Sequence, residues 1–359
     1  MQYPKYTHER NYGCRLIEYV YKGLNTITLE NEIIRVTILA DKGTDILEFL
    51  HKPSDTDFMW RSPLGVRNPN NFVPTIPRIE GSFLDYYEGG WQECLPTGGN
   101  STIYKGTNFG PHGEVCLIPW DYTILENNPE NISIKFFVRT YRTPFYIEKT
   151  LSIDRYKGIL KIHEYICNEG EVDLELVWGH HPSFGRPFLD DTVIINLPGA
   201  KVKTLDIDSN SRLKTGINFK WPMVPGKDGT MIDISKIPNE KAQSQDLALL
   251  TNLKDGWYAI TNASRSVGFG MVWPKNIFQS LWLWQVYGGA LSQPWYGRTF
   301  NIAIEPWSTP NLTIDEAIQE DTHIVLQSGG NISIDLKAVA YSDIKKVSRI
   351  DSEGNVFGI

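Results

Sequence analysis

Short runs of alternating apolar and polar positions dominate the chain from end to end. TITLENEIIRVTILADKGTDILEFLHK, starting at Thr26, reads as successive β segments broken at Glu30-Asn31-Glu32 and at Lys42-Gly43, with β-branched residues at many apolar positions. The same period of two recurs in SIKFFVRTY, FYIEKTLSI, GILKIHEYICN, TVIINL, WYAITNA, VGFGMVW and NISIDLKAVAY. Turn formers such as Tyr156-Lys157-Gly158, Asn168-Glu169-Gly170 and Asp255-Gly256 punctuate these runs. Short strands at this spacing, with no alternating helical segments, predict an all-β fold built as a large antiparallel β-sandwich. Two stretches rich in Pro, Gly and Asn read as long loops: SPLGVRNPNNFVPTIPRIEGS from Ser62 and WPMVPGKDGT from Trp221. Such loops on a rigid β scaffold commonly carry binding residues. No linker, low-complexity tract or fixed repeat divides the chain, so a single domain over 1–359 is expected.

Composition narrows the function classes. The 359 residues are 41% hydrophobic and 21% charged, enough to bury a sizeable core. With 35 Lys+Arg against 42 Asp+Glu, the formal charge of −7 argues against nucleic acid or an anionic membrane as the partner, because both select clustered basic residues. MQYPKYTHER has no basic-then-apolar signal pattern, and no apolar run approaches the roughly 18 residues that span a bilayer, so a cytoplasmic protein is expected. Cys14, Cys94, Cys116 and Cys167 stand far apart, as reduced thiols do.

Three segments combine ionisable residues with glycine and aromatics: FGPHGEVCLIPW around His112, WGHHPSFGRPF around His180 and His181, and IAIEPWSTP around Glu305. Strand alternation puts Leu174, Leu176, Trp178 and His180 on one face and Glu175, Val177, Gly179 and His181 on the other; if the first face is the core, His181 points to the open face. In NIAIEPW, Ala303, Glu305 and Trp307 share a face, so a carboxylate stands beside an indole, an arrangement suited to a sugar platform. Read singly, Glu305 is an ordinary strand-end carboxylate and His112 a loop histidine. His112 and Glu114 have the HxE spacing of zinc deaminases, but PCxxC is missing, as are HExxH and clustered Cys/His pairs. No metal and no cofactor is expected. GxSxG, GxGxxG and GxxxxGK[ST] are absent too, which leaves acid–base chemistry or binding. Eleven tryptophans, many near these segments, supply mostly core and a few candidate stacking surfaces for a sugar, Trp284 among them.

Together the segments resemble the aldose 1-epimerase (galactose mutarotase-like) superfamily, in a less characterised branch. The resemblance runs through LENEIIRVTILADKGTDILEF and DFMW, the HG and HPxF segments, the EP segment and the closing LQSGGNISIDL, nearly the whole length. It implies a β-supersandwich with a sugar on its open face and a mutarotase that interconverts α and β anomers. Glu305 then matches the base that takes the anomeric hydroxyl proton, and His181 the acid that protonates the ring oxygen. His112 matches a sugar-binding histidine. Arg78, with Arg61 as a further candidate, replaces an Asn-Arg pair absent before His112; with Trp307, Trp284 and His180, the neighbour of His181, these complete the expected substrate-binding set. Galactose specificity does not carry over, and no position aligns with the family's sugar-binding Asp. The partners implied are a small sugar and a second copy in a homodimer, with no nucleic acid or membrane. The competing reading is a non-catalytic carbohydrate-binding or sugar-sensing protein on the same fold. A third is a lyase or another sugar isomerase using the same carboxylate and histidine.

Overall fold

The computed structural model describes residues 10–71, 81–238 and 242–359. Its architecture is two large antiparallel sheets packed face to face, of 14 and eight strands. Among the described residues the only α-helices are the short Gly81–Leu84 and Ile314–Gln319, the second capped by the Thr313 hydroxyl accepting from Glu316 N–H. Among the described residues no helix is long and apolar enough to cross a membrane.

The eight-stranded sheet shows the simple alternation expected from its sequence. In Asn131–Arg139, Phe145–Asp154 and Ile159–Asn168 every second residue is buried, because one face packs inward and the other meets solvent. Ile134, Phe136, Ile147, Leu151, Leu160 and Ile162 from this face meet Ile27, Val36, Phe49, Phe184, Leu283 and Ile302 from the large sheet in one continuous core. Burial at about 25 cal/mol per Å² of apolar surface makes that seam the main source of stability.

The centre of the large sheet differs, and this is what positions the site. Neighbouring strands there run Asp45–His51, Trp91–Cys94, Gly179–Gly185, Phe300–Trp307, Ser280–Tyr287 and Ser244–Thr251. Trp91–Cys94 and Gly179–Gly185 are buried at every position. One face lies on the core and the other is covered by connections that leave a cavity over the strands.

Two sequence expectations change. LELVWGHH is not one strand: Leu174–Leu176 pairs with Ile324–Leu326 in a separate ribbon, and Gly179–Gly185 joins the large sheet. The break falls where Val177 N–H donates to Pro96 and Trp178 N–H to the Ser308 hydroxyl. The stretch from Trp221 is not a loop throughout, since Gly216–Lys220, Met223–Pro225 and Met231–Asp233 form a small meander at the sheet's end. Of the first predicted loop, residues 72–80 lie outside the described residues.

Candidate active site

Register across the large sheet assembles the chemistry. His181 pairs with Gln92 on one side, and the pairs Gly179↔Trp307 and Ser183↔Ala303 set His181 opposite Glu305 on the other. Glu305 pairs in turn with Trp282, and Ala303 with Trp284. Side chains at positions of one phase share a face. His181 Nε2 accordingly stands 3.5 Å from Glu305 Oε1, and the other carboxylate oxygen accepts from Trp307 Nε1–H at 2.9 Å.

The HG segment enters from outside the sheet. His112 and Gly113 both adopt left-handed backbone conformations, with φ of 65° and 78°. Gly113 has no substitute, because a Cβ there would lie 2.0 Å from the Leu95 carbonyl oxygen. His112 N–H donates to Gly98 O and Glu114 N–H to Leu95 O, which fixes the turn against the strand ending at Cys94. The His112 ring then stacks over Trp307 at 5.8 Å and meets His181 edge-on at 4.9 Å. Its Nδ1 has no hydrogen-bond partner among the described residues, so a ligand can supply one. Glu114 serves the scaffold: its carboxylate accepts from Tyr141 N–H, Arg142 N–H and the Thr143 hydroxyl.

Glu305, His181 and His112 open onto a cavity of about 390 Å³. Its walls include the aromatic side chains Phe83, Tyr87, Trp282, Trp284 and Trp295 and the polar side chains of Asn100, Asp208, Gln245, Ser292 and Gln293. The volume suits a small organic ligand, and the mixture of aromatic faces with amides and hydroxyls suits a polyol ring. Asp208 comes from a connection held by the buried Asp246 carboxylate, which accepts from Ser211 Oγ, Arg212 N–H and Arg212 Nε.

Burial dominates the electrostatics. It pushes the Glu305 carboxyl from the ordinary 4.5 up to about 8, against the smaller opposing effect of the Trp307 N–H. It pushes His181 from 6.5 down to about 4, opposed in part by a hydrogen bond with its own backbone. His112 lies well below its usual range, first through burial and then through charge on His181. Between about pH 4 and 8 the Glu305–His181 pair therefore holds one proton. It can give that proton up at one atom while taking another at its neighbour.

The structure brings Glu305, His181, His112 and Trp284 together around the cavity, but two other expectations need correction. His180 faces the core: Trp91 Nε1–H donates to its Nδ1 at 3.2 Å, and its Nε2 meets Glu164 at 3.1 Å, so it has no face toward a ligand. Trp307 is completely buried, stacked on Trp282 with ring centroids 4.2 Å apart, and it holds the carboxylate instead of forming the sugar platform. Arg78 lies outside the described residues. Arg61 pairs with Asp57 and lines a different hollow with Glu48 and Glu88. Four cavity or second-layer residues were not singled out from the sequence: Tyr87, Ser183, Asp208 and Gln245. For Ser183 a signal existed, because it lies two residues from His181 on the same strand and so shares its face.

Residues 21–339 match the family described as a domain of unknown function, DUF4432. The chain belongs to the DUF4432 family. No curated protein matches this DUF4432 member significantly in sequence. Among solved structures it is similar to a proposed aldose 1-epimerase from Klebsiella pneumoniae, with a TM-score of 0.72 and 16% identity over 92% of this chain and 88% of that one. It is also similar to a galactose mutarotase-like protein from Clostridium acetobutylicum (TM-score 0.61, 13% identity, 92% and 99% covered) and to a galactose mutarotase related enzyme from Lactobacillus acidophilus (0.58, 14%, 91% and 98%). At these identities the likeness establishes the fold, which is all-β, as the alternation predicts, and galactose mutarotase-like, as the resemblance implies.

Proposed function

We propose that this DUF4432 member is a mutarotase that interconverts the anomers of an aldose or aldose derivative by acid–base ring opening. The observation that carries the reading is the Glu305–His181 pair, 3.5 Å apart in an aromatic-lined cavity. Opening a cyclic hemiacetal needs removal of the proton on O1 and delivery of a proton to the ring oxygen, with cleavage of the C1–O5 bond. Ionised Glu305 takes the first proton and His181 Nε2–H gives the second, leaving an aldehyde and a hydroxyl. Rotation about C1–C2 presents the other carbonyl face. Closure then runs the same transfers backwards: protonated Glu305 gives its proton to the carbonyl oxygen and neutral His181 takes one from the hydroxyl.

Burial of the empty site favours protonated Glu305 with neutral His181, the distribution that accompanies the open-chain sugar. A ring form bound with its O1–H donating to Glu305 and its ring oxygen accepting from His181 favours the ionised pair instead, since hydrogen bonds to a charged form stabilise it. Binding thus moves the proton to where ring opening needs it. The pair does not require a metal for this transfer. His112, whose Nδ1 at the cavity wall has no partner among the described residues, supports the sugar near the same oxygen.

Polarimetry or NMR exchange on freshly dissolved α-aldoses, sugar phosphates included, tests the reading. Anomer exchange is expected with the wild type and a loss of about 100-fold or more with Glu305→Gln, the usual scale for removing a general base. If no sugar equilibrates faster with the wild type than with Glu305→Gln, the proposal fails. Sugar binding seen by calorimetry without anomer exchange would point to a binding protein.

A further inference from the structure

His181 Nδ1, the ring nitrogen not aimed at Glu305, faces two buried hydroxyls. Tyr87 Oη and Ser183 Oγ each lie 3.2 Å from it, and they are 2.7 Å from one another. Ser183 reaches this point because it lies two residues along the strand from His181. Tyr87 is held by stacking on Phe83 at 4.8 Å and by edge contacts with Trp60 and Trp295. Tyr87, His181 and Ser183 are all buried.

Proton accounting gives this triangle a task. When Nε2 passes its proton to a ring oxygen, the imidazole left behind is neutral, and its remaining proton is on Nδ1. A buried N–H without an acceptor is costly, so the acid step needs an acceptor at Nδ1. A hydroxyl can accept there and pass its own proton onward, and two hydroxyls in contact give that chain a second link. A carboxylate would also accept, but its charge would raise the proton affinity of the ring and weaken it as an acid. Tyr87 and Ser183 are neutral acceptors. They leave the low proton affinity that burial gives His181 in force. With Nδ1 protonated, Nε2 is bare and faces Glu305 Oε1, which suits a protonated carboxyl opposite it.

We propose that Tyr87 and Ser183 are positioning residues that hold a proton on Nδ1 of His181, so that Nε2 alone exchanges protons with the ring oxygen of the sugar. The first half concerns the free protein, and only the second rests on the mutarotase reading.

Nitrogen-15 NMR of histidine-labelled protein at neutral pH reads the tautomer directly, because protonated and bare ring nitrogens resonate far apart. The chain has seven histidines, and His181→Asn assigns the relevant signal by its loss. The wild type is expected to carry the proton on Nδ1. Tyr87→Phe, which keeps the aromatic stack, and Tyr87→Phe with Ser183→Ala should shift the tautomer population toward Nε2–H. In mutarotation assays the double variant should lose tenfold or more in kcat with KM within about twofold, the mark of an effect on proton transfer. A wild-type signal with the proton on Nε2, or a tautomer unchanged in the double variant, overturns the proposal, as does a rise in KM at constant kcat. A wild-type Nδ1–H that shifts in the double variant, with no sugar turned over by any form, upholds the clamp and removes the mutarotase reading instead.

Discussion

Glu305→Gln should make the protein more stable at neutral and alkaline pH, and the size of the gain follows from the site. The carboxyl binds its proton more tightly in the folded chain than in the unfolded one, at about 8 against the ordinary 4.5. A group raised in this way contributes its full share of stability below the unfolded value, and the share is lost as pH rises through the folded value. Each tenfold change in proton affinity is worth about 1.4 kcal/mol, so the loss reaches roughly 5 kcal/mol above pH 8, with about 3 kcal/mol gone by pH 7. That is a large fraction of the 5–15 kcal/mol that a typical domain has. Glutamine keeps the shape and an oxygen to accept from Trp307 Nε1–H, yet it never ionises. Urea unfolding of wild type and variant at intervals from pH 4.5 to 9 isolates the effect, because every other titrating group is common to both. The stability difference should grow by about 1.4 kcal/mol per pH unit through the middle of that range and level off above pH 8. A difference independent of pH, or one that favours the wild type as pH rises, would refute the reasoning.

Activity should follow the same pair with both limbs visible. Above about pH 8 the site loses its single proton and with it the acid; below about pH 4 a second proton occupies His181 and no base remains. After subtraction of the uncatalysed rate, kcat/KM should fall about tenfold per pH unit beyond each limb, and a flat profile from pH 7 to 9.5 would contradict the assignment. Gly179→Ala attacks the same machinery from behind. A Cβ there would stand 2.2 Å from Trp307 Cε3, and Trp307 cannot retreat because Trp282 and His112 stack against it. A destabilisation of about 1–3 kcal/mol, with reduced kcat through a displaced Glu305, is expected from unfolding curves and initial rates; an alanine variant of unchanged stability would show that the packing is looser than described.

Much of the fold was legible because its signal is local. The period of two in Asn131–Arg139 and Phe145–Asp154 comes directly from one dry face and one wet one, and it announces a sandwich before any pairing is known. Glu305 and His181 were singled out together by the resemblance; alternation only assigned each a face, and for His181 that count ran across the break between Leu174–Leu176 and Gly179–Gly185. Trp307 was misjudged because period two fixes a side and says nothing about what covers that side. A second layer over the large sheet turned an expected platform into a buried support. The Asp208 contribution was illegible for a different reason: it depends on a connection folded back by Asp246, 38 positions away from its own residue number, and no local pattern encodes that distance.

The adjacent histidines show why a stable register matters more here than the energy of any one contact. His180 lies among Trp91, Glu164 and, through Glu93 and Lys149, a charged network buried between the sheets. Lys149 and Glu164 occupy apolar phases of otherwise regular strands, and burial followed by the charge of Glu164 pushes Glu93 upward. Buried ion pairs seldom add net stability, because desolvation offsets their attraction, so the network's contribution is better sought in position. A slip of one residue in Gly179–Gly185 would exchange the faces of His180 and His181. An imidazole would still stand on each face, because a neutral ring can carry its proton on either nitrogen, but Phe184 would leave the core and Ser183 would leave the Tyr87 hydroxyl. Phe184 and Ser183, unlike the two imidazoles, have surroundings that are not interchangeable. That asymmetry penalises a slipped strand on both faces at once and keeps His181 opposite Glu305.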